Sequence, residues 1–100
     1  MRVRFTPAAR EQFLRVIACI LADKPSAALS FRNRARDTLR RLIKFPESGR
    51  RIPEFPDLPY REVIVGNYRF FYRLKARTVW IVAVWHGAQL PESPKQEGGV

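Results

Sequence analysis

The stretch from Tyr60 to Trp85 leaves this chain few ways to fold. It reads YREVIVGNYRFFYRLKARTVWIVAVW. Three runs dense in β-branched and aromatic residues are cut by two short turns, one holding Gly66-Asn67 and one holding Lys75-Ala76-Arg77. That pattern predicts an antiparallel meander of three strands. Gly66-Asn67 can take the positive φ that a tight hairpin needs. Side chains alternate between faces along a strand, so Tyr68, Phe70, Tyr72 and Leu74 share one face, and Arg69, Phe71 and Arg73 share the other. The apolar set should meet the rest of the domain. The other face, carrying Arg61, Arg69 or both, is expected to stay open. His86 ends the last strand and shares a face with Trp80, Val82 and Val84.

The segments before the meander are suited to covering one side of it. Arg2 to Phe5 reads as a short strand that can join the meander to make four. Thr6-Pro7 is a helix opening, with Thr6 as N-cap and Pro7 at the first helical position, where its missing N–H costs nothing. The helix runs to about Asp23, with Phe13, Val16, Ile17, Ile20 and Leu21 on one stripe. Lys24-Pro25 ends it. A second helix should open at Ser26 and run to about Phe45, burying Ala28, Phe31, Ala35, Leu39 and Leu42. Its other side is crowded with arginine. Pro46 and Gly49 then turn the chain, and Arg50 to Pro59, with three prolines and no clear periodicity, reads as a loop.

The expected architecture is α+β in the order β-α-α-β-β-β, a helical hairpin packed on one face of a small antiparallel sheet. Residues 1–90 make a single domain. Residues 91–100 hold prolines and glycines without apolar anchors and read as a flexible tail.

Charge narrows the partners. Lys and Arg number 19 against 9 Asp and Glu, for a net of +10, and most of the bases are arginine. The balance implies an acidic partner: nucleic acid, a ribosome or an acidic protein segment. An open basic sheet face with interleaved aromatics would suit single-stranded nucleic acid. An arginine with a histidine also suits RNA cleavage, the histidine as acid or base and the arginine stabilising phosphate charge. Glu54 and Glu62 read as surface carboxylates or ion-pair partners. No phosphate-cradling glycine loop, metal-ligand cluster or Ser-His-Asp pattern is present, so neither metal nor cofactor is expected. The single cysteine, Cys19, allows no internal disulfide, no secretory pattern opens the chain, and no apolar run is long enough to span a bilayer. A cytoplasmic protein is expected.

Taken together, the opening VRFTPAAR, the two helices, the FPESGR turn, the YREVIVGNYRFFYRL strand pair and the closing VAVWHGAQLP resemble the RelE/ParE superfamily of bacterial toxin–antitoxin toxins. The resemblance covers roughly residues 2 to 91. It implies a helical hairpin on a curved sheet. It also implies a cognate antitoxin, acidic toward its C-terminus, that wraps the toxin and itself binds operator DNA. Arg32, Arg36 and Arg40 on the second helix, with Arg50, Arg51 and Arg73, are the candidate contacts for antitoxin or target. RelE-like members cut mRNA on the ribosome, and for that activity the resemblance singles out Arg69 in NYRFFY, Arg61 one strand earlier, and His86. ParE-like members poison DNA gyrase, and His86-Gly87-Ala88 looks like theirs. Gln89 stands where both groups usually have a basic residue. The sequence is thus read as a ParE-like toxin directed at gyrase. The alternatives are a RelE-like, metal-independent mRNA endoribonuclease using Arg61, Arg69 and His86, and a non-toxic basic RNA-binding domain.

Overall fold

A computed structural model describes residues 1–87; Ala88, Gln89 and the tail inferred for 91–100 lie outside the described residues. Strand β1 spans Arg2–Phe5, helices α1 and α2 span Pro7–Asp23 and Pro25–Lys44, and strands β2 to β5 span Arg50–Arg51, Arg61–Val65, Tyr68–Lys75 and Thr78–His86. The five strands form one sheet in the order β1-β5-β4-β3-β2. Both helices lie on one face of it. The N-terminal strand does join the meander, but parallel to β5, with Val3 opposite Val79. The sheet is therefore mixed and five-stranded, because the start of the expected loop, Arg50–Arg51, pairs with Arg61 and Glu62 as β2.

The helix boundaries follow cap chemistry. Thr6 is buried and extended, and its hydroxyl accepts from the Ala9 N–H at 3.2 Å. The chain reverses between the helices at Lys24 alone, which is extended at φ −151°. A residue before proline is driven out of the helical region, and Pro25 has φ preset for the first helical position. The second helix accordingly opens at Pro25, one residue earlier than expected, and Ser26 is not its cap. The α2 stripe of Ala28, Phe31, Ala35, Leu39 and Leu42 is buried as its spacing predicts. On α1, Phe13, Val16, Ile17 and Ile20 pack against the core, but Leu21 is exposed. Phe13 meets Phe5 at 5.4 Å and Phe70 edge-on at 5.9 Å between ring centroids. Such pairs add roughly 0.5–1.5 kcal/mol beyond the area they bury.

The alternation along β4 holds for Tyr68, Phe70 and Tyr72, which face the helices, whereas Leu74, expected with them, is exposed near the strand end. Along β5 it breaks. Phe71 is opposite Ala83 but Tyr72 is opposite Ile81, so Val82 is the extra residue of a bulge. Trp80 and Val82 consequently face away from the helices, while Val84 faces toward them. His86 meets the helix-side Tyr68 ring edge-on at 5.3 Å. The expected common face for His86, Trp80, Val82 and Val84 does not exist, because one bulge exchanges the faces of everything beyond it.

The face expected to be open is covered. Ile52 and Tyr60 close over Phe71, Val82 and Ala83, with Phe55 and Leu58 packed beside them. The segment makes two short turns, Phe55 N–H to Ile52 C=O and Leu58 N–H to Phe55 C=O. Its apolar residues fall at positions 52, 55, 58 and 60, a spacing too irregular for helix or strand but sufficient for a strap. Phe71 is fully buried under it.

The turn after α2 is fixed by one phenol. Tyr72 Oη accepts from the Gly49 N–H at 2.9 Å and donates to the Pro46 carbonyl at 2.7 Å. Burial pushes this phenol above its ordinary pKa, which keeps the donor proton in place. A Cβ on Gly49 would lie 2.5 Å from Tyr72 Oη and 2.7 Å from the Glu62 carbonyl oxygen. Gly49→Ala should therefore lower stability by about 1–3 kcal/mol through overpacking. Equilibrium urea denaturation measures this, and an unchanged midpoint would show that the turn can move aside.

Candidate functional site

Register assembles the site. The two-residue turn at Gly66-Asn67 sets Val65 opposite Tyr68, which puts Ile64 opposite Arg69 and Glu62 opposite Phe71. Glu62 and Arg69 are then diagonal neighbours on the strap side of the sheet, within reach of long side chains. The β2 pairing brings Arg50 opposite Glu62 from the other flank. Glu62 is wholly buried at its side chain, and a buried carboxylate needs paired charge and filled hydrogen bonds. It has both. Arg50 Nε donates to Oε2 at 2.7 Å, Arg69 Nε donates to Oε1 at 2.8 Å, and Arg69 Nη2 makes a further short contact to Oε1.

Arg69 is itself buried, at 7% exposure. Its remaining donors go to Glu54 on the strap, Nη1 to Oε2 at 3.0 Å and Nη2 to Oε1 at 2.8 Å, and its guanidinium carbon lies 5.1 Å from the Phe71 ring centroid. A planar fork meeting a carboxylate with two parallel bonds is the strong form of this pair. Hydrogen bonds from Arg69 hold the Glu54 carboxyl below its ordinary pKa, against a smaller opposing effect of burial, and they push the arginine's own value up.

Four charges thus form a chain from Arg50 through Glu62 and Arg69 to Glu54. Arg50, Glu54 and Arg69 line an open cleft of about 450 Å³ with Ile64, Gly66, Asn67, His86 and Gly87. The end of β5 is tied to the hairpin turn by the Gly87 N–H, which donates to the Asn67 carbonyl at 2.7 Å.

The residues singled out from sequence are dispersed. Arg69 and His86 share the cleft. Arg61 does not line it; opposite Tyr72 and two residues from Val63, it is on the helix side of the sheet and not on the face expected for it, and it donates from Nη1 to the Gly49 carbonyl at 2.9 Å. Arg50 joins the cleft, whereas Arg51 donates to the Leu58 carbonyl of the strap. Arg73 lies 5.6 Å from the Tyr60 ring centroid, with Nε and Nη1 buried and lacking hydrogen-bond partners. Arg32, Arg36 and Arg40 are exposed along a separate groove of about 520 Å³ between α2 and β1, floored by Phe5, Phe13 and Leu39. Glu62 and Glu54 prove to be ion-pair partners of Arg69, and Glu62 is the reverse of a surface residue. The turn length at Gly66-Asn67 was the signal that could have joined Glu62 to Arg69.

A profile of the ParE toxin of type II toxin–antitoxin systems, parDE, matches residues 3–91. The chain belongs to the ParE toxin family. A solved structure described as the chromosomal ParDE TA system from P. aeruginosa aligns over 86% of this chain and 95% of that one, with a TM-score of 0.70 at 14% identity, a likeness of fold. The toxin–antitoxin complex RelBE2 from Mycobacterium tuberculosis aligns over 85% of this chain and 95% of that one, at 28% identity and a TM-score of 0.48. Among curated proteins none matches. Among the described residues, no helix of this ParE-family chain is long and apolar enough to cross a membrane.

Two predictions test the ion-pair chain. From sequence, Arg69→Ala is expected to spare the fold. With Glu62 buried against it, the substitution should instead cost about 3–5 kcal/mol, the penalty of an uncompensated buried charge. Urea denaturation reads this, and Arg69→Met combined with Glu62→Leu should lose less than Arg69→Ala alone. The second concerns pH. A carboxyl with a folded pKa below its ordinary 4.5 releases its proton more readily when folded. Its stabilising effect is complete above that pH and is lost as pH falls through the folded value. The thermal midpoints of the unmodified chain and Glu54→Gln should therefore converge below about pH 4.5; a gap that persists in acid would exclude the carboxylate as its source.

Proposed function

We propose that this ParE-family chain is a growth-inhibiting toxin that acts by binding a protein target, DNA gyrase, without chemistry of its own, and that a cognate antitoxin neutralises it. The observation that carries this reading is the state of Arg69. Cleaving RNA requires guanidinium donors aimed at a reacting phosphate. Every nitrogen of Arg69 is instead committed to Glu62 and Glu54. Arg61, the second basic candidate, does not line the cleft and is bonded to Gly49. What remains beside His86 does not make an acid–base set.

The antitoxin reading rests on complementarity. The groove between α2 and β1 has an apolar floor and an arginine rim of Arg32, Arg36 and Arg40. An amphipathic acidic helix satisfies both. A solved structure of similar fold is a ParDE toxin–antitoxin system, which is in keeping with such a partner.

Induction of the chain alone in a bacterial host, with pulse labelling of DNA and protein synthesis, tests the reading. DNA synthesis should stop first and cells should filament, with growth restored when the antitoxin is co-produced. An early stop in translation, with mRNA cut within codons, would instead establish the ribonuclease activity.

A further inference from the structure

We propose that the cleft between Arg50 and Arg69 is a binding site for an acidic side chain of a protein partner, and that Glu54 occupies it from within the chain. The inference rests on the reading above, that the chain works by binding protein, and adds to it a site and a competitor.

Charge balance makes the case first. Glu62 and Arg69 compensate each other in the buried layer, and Arg50 adds one positive charge whose side chain is 62% exposed. Without Glu54, the cluster of Arg50, Glu62 and Arg69 carries one net positive charge facing an open cleft. Glu54 cancels it, but Glu54 is not part of the buried layer. Its side chain is 41% exposed and is carried on the strap between Pro53 and Phe55, outside the sheet. The carboxylate half of this pair is therefore open to solvent and to exchange, while the Arg69 half stays in place. A carboxylate from another molecule makes the same two bonds to the same fork, and Arg50 retains unused donors to add to them.

The surroundings favour peptide over nucleic acid. Among the described residues that line the cleft the one aromatic ring is His86, which already meets Tyr68 edge-on, and there is no Phe, Tyr or Trp on which a base would stack. Ile64, at 56% exposure, supplies an apolar contact instead. Strand β2 pairs only with Arg61 and Glu62, so the outer edge of β3 from Val63 to Val65 has no strand neighbour among the described residues. An extended segment can hydrogen-bond along that edge, beside Arg50, with its carboxylate turned into the cleft.

The test is a titration of the isolated chain with a blocked hexapeptide of alternating glutamate and valine at fixed ionic strength. Glu54→Gln is compared with Glu11→Gln, which changes net charge equally but lies on α1, paired with Arg15. Glu54→Gln should bind the peptide about three- to fivefold tighter than Glu11→Gln, as expected when a partly exposed ion pair is the competitor. Adding Arg50→Gln should remove the gain. Equal affinity of the two single variants overturns the proposal, and so does tighter binding of hexauridylate than of the peptide by Glu54→Gln. NMR of the Arg69 guanidinium in the unmodified chain needs no substitution. Its signals shift with peptide if Glu54 is displaced, and stay fixed while others move if the peptide binds elsewhere. Either failure leaves the growth-inhibition result untouched, so the two readings fail separately.

Discussion

The carboxylate of Glu62 is the constraint to which the sheet side away from the helices answers. A charge without solvent in the middle of a strand costs several kcal/mol unless paired and hydrogen-bonded. The pairing here recruits β2 from one side, through Arg50, and β4 from the other, through Arg69. The two-residue β2 is held in addition by the bonds of Gly49 to Tyr72 and Arg61 before it and by buried Ile52 after it. The same pairing withdraws Arg69 from the surface and brings the strap residue Glu54 onto its far side. Strap, edge strand and sheet are thus joined by four charges in sequence, beside a small apolar core of Ile52, Tyr60 and Phe71.

Much of this was legible in the residues, and the illegible parts have physical causes. The α2 stripe, the Thr6 cap and the face of Tyr68, Phe70 and Tyr72 follow from local periodicity and cap chemistry, which act over a few residues. Longer-range features escaped. The bulge at Val82 has no local marker, since Val is an ordinary strand residue, and only pairing with β4 reveals it. The strap escaped because Ile52, Phe55, Leu58 and Tyr60 bury against Phe71, Val82 and Ala83, which are distant in sequence, and have no period of their own. The arginine-rich face of β4 invited a functional reading of Arg69. The alternation was right, but alternation gives a direction and not the exposure at its end.

The two basic regions differ in kind. The α2 rim is solvated and backed by an apolar groove, the form of a surface that waits for a partner. The cleft charges are already engaged with one another, and their net effect on an approaching molecule is small until one of them moves. Those four charges, two arginines and two glutamates, sum to zero, so the net of +10 is carried by residues outside the ion-pair chain.

The parallel pairing of β1 with β5 has a consequence for synthesis. Val3 finds its neighbour only when Val79 exists. The helices and the β3–β4 hairpin contain enough local contacts to form early, but the first strand must wait, unpaired, for nearly the whole chain. Closing so long a loop is slow relative to local folding. His86, at the cleft, is on the same late strand. A nascent chain is thus without a finished sheet until its final strand clears the ribosome. This sets an interval after initiation in which the helices are made but the sheet they cover is still incomplete.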